Sequence, residues 1–312
     1  MISPLPLFRK LTGAQERGLD AAARAREQMQ EQLATGIAHY LGEPDERAAA
    51  LARAACAQRL RRRSGPSEGP GVPLLAAVAT LRKALARGPC LLALPFGGAA
   101  LDLLRELAVQ DGLLLMLVES PALAALQDDL GPSLAHLPRC PAREALKQVK
   151  RDAAQGRAVV YVSFPELHAL LAGTTANVTF LGKACRFSLL EPLLCMQGLD
   201  TILTIGRQDA GGLELASCDT AALRAADRKE ALGTVLGWLL GHLEAAASEA
   251  PADTYSWHHL YRASKYCYQI ERDNRIKQLD AYFDAWMFSS SGLPPRTYQL
   301  AKARLAALRQ SS

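Results

Sequence analysis

Hydrophobic and polar positions follow two different periods along this chain. From Ala14 to Leu33, Leu19, Ala22, Ala23 and Met29 fall near one face at helical spacing, which predicts an amphipathic helix. A second helix is expected after Gly42-Glu43-Pro44-Asp45, a start signal. It carries Ala49, Leu51, Ala54, Ala55 and Leu60 and ends among Arg59, Arg61, Arg62 and Arg63. Ser64-Gly65-Pro66-Ser67-Glu68-Gly69-Pro70-Gly71 reads as a loop. From Pro73 to Ile205, short apolar runs alternate with longer helical stretches. Cys90–Leu94, Leu113–Val118 and Ala158–Val162 have the length and composition of buried strands, and the stretches 98–110, 120–129 and 141–155 between them read as helices. That alternation predicts βαβ units, and hence an α/β fold with a mostly parallel central sheet flanked by helices. Asn177–Leu181, Thr201–Ile205 and Gly212–Ala216 supply further strands, and Arg224–Ala247 a long helix with Leu232, Val235, Leu239 and Leu243 in line.

The tail from Ala263 departs from this pattern. Tyr266, Tyr268, Tyr282, Phe283, Trp286, Phe288 and Tyr298 crowd into it, and Ile276, Leu279, Phe283 and Trp286 fall at helical spacing. A helix docking on its own domain gives such a stripe. So does a surface for a protein partner or a second copy, centred on Phe283 and Trp286. The organisation expected is an N-terminal helical segment (1–72), an α/β domain (73–262) and an aromatic-rich helical C-terminal extension (263–312).

Composition narrows the function classes. The chain has 312 residues, 49% of them hydrophobic and 21% charged, which excludes a wholly disordered chain. A net charge of +5 falls short of a dedicated nucleic-acid binder, and no nucleic-acid partner is expected. No run approaches the roughly 20 apolar residues of a membrane span. Met1–Lys10 is too short and too broken by Pro for a secretory signal. The expectation is a cytoplasmic protein whose membrane contact, if any, is peripheral. The seven cysteines are scattered and no two have Cys-x-x-Cys spacing, so neither a disulfide framework nor a metal site is indicated. Nucleotide-phosphate, zinc-peptidase and serine-hydrolase motifs are absent, and no cofactor is expected. Pro95-Phe96-Gly97-Gly98 does lie between a strand and a helix, where a phosphate can sit on the helix N-terminus. A tight strand-to-helix turn accounts for the two glycines equally well.

Three segments carry a resemblance. Cys90–Gly98 resembles a strand leading into His-Phe-Gly-Asn-Trp-Glu. Val160–Glu166 followed by Val178–Ala184 resembles an Asp-Gln-containing strand end and a Val-x-Phe-Phe-Gly block, and Gly198–Ile205 the next strand. Pro251–Arg262 resembles Pro-Glu-Gln-Trp-x-Trp-x-His-Arg-Arg-Trp-Lys. Together they resemble the lauroyl and myristoyl acyltransferases of lipid A biosynthesis, within the lysophospholipid acyltransferase superfamily, over about residues 15–262. The resemblance implies that family's α/β fold and an acyl-carrier-protein or acyl-CoA partner.

The departures are chemical. In that family a His acts as general base on the acceptor hydroxyl, and an acid five residues later orients it. Here those positions hold Pro95 and Ala100. General-base catalysis contributes about 10²–10⁴-fold, so the family mechanism does not operate with these residues. The expectation is a non-catalytic or atypical relative that binds an acyl group, an acyl carrier protein or a partner protein. Two alternatives stay open: an active acyltransferase that moves an acyl or polyketide chain to an amine or hydroxyl with other residues, and a structural subunit of a partner enzyme. For the active alternative, the candidate catalytic pair is His168 and Glu166, just beyond a strand's carboxyl end, where sites form in open α/β sheets. Candidate ligand-binding residues are Pro95, Gly97 and Gly98 at the turn, with Arg186 and Arg207, whose guanidinium groups suit a phosphate.

Overall fold

The computed structural model describes residues 13–63, 75–95, 97–119, 123, 132–165, 175–209, 212–255 and 257. The chain divides into two compact units, 1–264 and 265–312, and every described residue falls in the first. The expected loop at 64–71, the helix at 120–129 apart from the buried Leu123, and the aromatic tail lie outside the described residues.

Two long helices come first, α1 (Gly13–Leu41) and α2 (Asp45–Arg63), then α3 (Leu75–Leu85). The chain continues through β1 (Cys90–Ala93), α4 (Gly98–Ala108), β2 (Leu114–Glu119), a short α5 (Pro132–Ala135), β3 (Arg139–Pro141), α6 (Ala142–Ala154) and β4 (Val159–Ser163). A hairpin of β5 (Thr175–Phe180) and β6 (Lys183–Ser188) follows, then α7 (Leu190–Met196), β7 (Thr201–Asp209), β8 (Gly212–Asp219) and α8 (Arg228–Glu249).

Six strands form one sheet in the order β3-β2-β4-β1-β7-β8. The first five are parallel and β8 runs antiparallel to β7. β5 and β6 pair only with each other. The chain is therefore an α/β protein with a mostly parallel sheet, flanked by helices on both faces.

Side chains along the strands alternate between two cores, as the pleat requires. Leu91, Ala93, Tyr161 and Ile202 join one core with α1, α2, α6, α7, α8 and the hairpin residues Phe180, Cys185 and Phe187. Cys90, Leu92, Val160, Val162 and Leu203 join the other with α3, α4 and α5. Both faces are covered, so β1 reads as a continuous apolar run with every residue buried.

The first helix runs on past the expected end at Leu33 to Leu41, because Leu33, Ile37 and Tyr40 continue the buried stripe. Gly36 allows the approach of another segment: a Cβ there would lie 2.4 Å from the Trp257 carbonyl oxygen. The last helix starts at Arg228 because the Asp227 carboxylate accepts from the Lys229 and Glu230 amides. The hairpin turn, Leu181-Gly182, has φ of +49° and +73°, and the Glu244 carboxylate of α8 accepts from the Leu181 amide at 2.5 Å. Between α6 and β4, the buried Asp152 accepts from the Tyr161 hydroxyl at 2.6 Å and from Gln148 at 2.9 Å, and Arg157 lies 3.5 Å away. Among the described residues no helix is long and apolar enough to cross a membrane.

Candidate functional site

β1 lies between β4 and β7 in the sheet. The chain leaves β1 toward β2 and leaves β4 toward β7, so the sense of the connections reverses about β1. Crevices at the carboxyl ends of strands form at such reversals. A cavity of about 170 Å³ opens there, lined by Pro95, Gly97, Ala99, Ala100, Ile205, Gly206, Ala246, Glu249, Ala250 and Asp253. The residues just after β1, the middle of β7, the first turn of α4, and the end of α8 with the segment after it thus supply its walls.

The segment after α8 is bound tightly to the start of α4. Gly97 and Thr254 form an isolated antiparallel bridge. The Gly98 N–H donates to the Asp253 carbonyl at 3.1 Å, and the Ala99 N–H donates to the Asp253 Oδ2 at 2.8 Å. The first amides of a helix lack intrahelical partners and carry its positive end, so a carboxylate placed there is stabilising. Gly97 allows the approach, since a Cβ on it would lie 2.5 Å from the Asp253 carbonyl oxygen. Tyr255 and Trp257 anchor the segment in opposite cores, with the Trp257 Nε1 donating to the Pro251 carbonyl at 2.8 Å. On the β7 side, the Thr204 hydroxyl donates to the Ala93 carbonyl at 2.6 Å and fixes the two strand ends together.

The lining is apolar apart from backbone and two carboxylates, Glu249 and Asp253. No His, Cys, Ser, Thr, Lys or Arg side chain lines it among the described residues. Ser163, in register with Ala93, is fully buried and does not line it. Cys90, at the start of β1, is fully buried, and desolvation pushes its thiol up to about 12. It is an inert core thiol rather than a nucleophile. Burial likewise holds Cys195 well above the ordinary thiol range and lowers His39 and His242, where Lys183 adds to the effect on His39.

Of the residues singled out in the sequence, Pro95 and Gly97 line the cavity, and Gly98 is buried beside it in contact with Asp253. Arg186 lies on β6, bonded to Thr175, and does not line the cavity. Arg207 lies in β7 directly after the lining residue Gly206, but its side chain, like Glu166, His168, Phe283 and Trp286, lies outside the described residues. Glu249 and Asp253 were not singled out. Asp253 stands 154 residues from Ala99, and no local spacing links them. Among the described residues no group of His, Cys, Asp and Glu side chains is arranged to hold a metal ion.

The chain is matched by no protein-family model and by no curated protein.

Proposed function

We propose that this protein is a non-catalytic relative of carrier-dependent acyltransferases and that it binds an acyl group presented by an acyl carrier protein or by coenzyme A. The observation that carries the reading is Pro95 at the end of β1. It stands where the resemblance puts the general base, in the lining of a cavity whose described side chains include no histidine, cysteine or serine and whose carboxylates are Glu249 and Asp253. A cavity of about 170 Å³ is comparable to the apolar voids of about 150 Å³ that accept benzene. Pro95, Ala99, Ala100, Ile205, Ala246 and Ala250 give it walls for a short acyl group or the end of a longer one. Asp253 is committed to the Ala99 amide, and the role it fills there is positioning the helix start.

In this reading the protein works in the cytoplasm, at most peripheral to the inner membrane, and the C-terminal extension with Phe283 and Trp286 meets a protein partner. The test is incubation of the full chain with acyl-pantetheine, acyl-CoA and acyl-carrier thioesters plus amine and hydroxyl acceptors. Binding is followed by calorimetry and products by mass spectrometry. Saturable binding without turnover is expected. Turnover abolished by His168→Ala or Glu166→Gln would establish the active-acyltransferase alternative instead.

A further inference from the structure

We infer that Arg186 forms an anion site for a phosphate ester on the polar face of the β5–β6 hairpin. Cys185 and Phe187 point into the core, so strand alternation turns Arg186 to the other face. Asn177 lies directly opposite Arg186 in register and is exposed, with Thr175 and Thr179 flanking it on β5. The guanidinium is held: its Nη2 donates to the Thr175 Oγ1 at 2.6 Å. It is also incompletely satisfied, because its Nε is buried without an acceptor. None of the described ion pairs includes Arg186. From Thr175 to Ser188 the hairpin contains Lys183 and Arg186 and no acidic residue. Glu244 reaches the hairpin at its turn, on the Leu181 amide.

A cation partly withdrawn from water is costly without a counter-charge. Here the described protein supplies a hydroxyl and no carboxylate. The planar fork of arginine matches the oxygens of a phosphate, and an amide and hydroxyls beside it add donors to the same group. Pantetheine phosphate, the phosphates of coenzyme A and phospholipid headgroups share that chemistry. Because the probe is phosphate and not an acyl group, failure of this site leaves the acyl-binding reading standing, and the reverse also holds.

The test is calorimetric titration of the full chain with inorganic phosphate at low ionic strength, using wild type, Arg186→Gln and Arg186→Lys. Saturable binding is expected in wild type, weakened about tenfold in Arg186→Gln and less in Arg186→Lys, with unchanged melting curves. No saturable binding in wild type, or equal affinity in Arg186→Gln, would overturn the site. If Arg186→Gln fails to fold, Thr175→Val serves: releasing the guanidinium is expected to weaken binding about threefold, and equal affinity counts against the site. Two further arms use phosphopantetheine and vesicles containing an anionic phospholipid. An Arg186-dependent gain over inorganic phosphate in either arm supports the proposal and names its source. A gain in neither overturns the ester assignment.

Discussion

The Asp253 carboxylate accepts a hydrogen bond from the Ala99 amide at 2.8 Å, so the chain itself supplies the anion at the N-terminus of α4. The same residue's carbonyl takes the Gly98 amide, at 3.1 Å. One segment thus closes the turn that begins at Pro95 and shapes one wall of the cavity. Asp253→Ala removes the carboxylate and is expected to cost about 1 kcal/mol, the usual worth of a side-chain cap. Asp253→Asn keeps an acceptor and costs less. Urea denaturation of the two variants checks the order, and an Ala variant as stable as wild type would remove the cap from the account.

The glycines divide into those that something approaches and those that nothing approaches. Gly97→Ala and Gly36→Ala place a Cβ 2.5 Å and 2.4 Å from backbone oxygens of Asp253 and Trp257. Each is expected to destabilise by about 1–3 kcal/mol, as overpacking does. Gly233, Gly237 and Gly241 on α8 are exposed, with nothing within 4 Å of a new Cβ. Alanine there is expected to stabilise by about 0.5–1 kcal/mol each through helix propensity. Opposite signs in thermal melts of the two groups check this directly.

Tyr161 donates to the buried Asp152, and desolvation with that hydrogen bond raises its phenol above the ordinary range. The sign follows from linkage. A group whose folded pKa is raised contributes stability that is complete below its unfolded pKa and lost as pH rises. Wild type should therefore lose stability above about pH 10, where the unfolded tyrosine ionises. Tyr161→Phe should cost about 1–3 kcal/mol at neutral pH by leaving Asp152 short of a donor, and its deficit should shrink in alkali. A deficit that is constant up to high pH would contradict the raised phenol.

Thiol reactivity separates the cysteines. Cys90 and Cys195 are fully buried, and burial raises both thiols; Cys218 is half-buried. In native protein a small thiol reagent is expected to label Cys218 well before Cys90 or Cys195, which should react only on unfolding. Peptide mapping after timed alkylation reads this. Native labelling of Cys90 as fast as Cys218 would contradict its assignment as an inert core thiol.

The central architecture was legible because β1, β2 and β4 are nearly uniform apolar runs separated by helical stretches. That pattern arises when a parallel sheet is covered on both faces. The bounds of α1 were less so: the helix was expected to end at Leu33, and the buried Ile37 and Tyr40 carry it on to Leu41. The strands β3 and β6 and the helices α3, α5 and α7 were not picked out. β3 spans only Arg139–Pro141, and β6 opens on two exposed residues and has no dense apolar run. At the site, the turn at Pro95 was visible from its glycines and its place between strand and helix. Asp253 and Glu249 were not, because a wall built from the far end of the chain leaves no local spacing to read.

The most direct measurement is the dissociation constant of an acyl-pantetheine thioester for wild type and for Ala99→Leu. Ala99 is half-buried in the first turn of α4 and lines the cavity, so the added side chain reaches into it. If the acyl group occupies the cavity beside Pro95, affinity falls by about tenfold or more, the cost of displacing a few buried methylenes, while the melting temperature holds. Equal affinity in the two proteins would contradict acyl binding at this site.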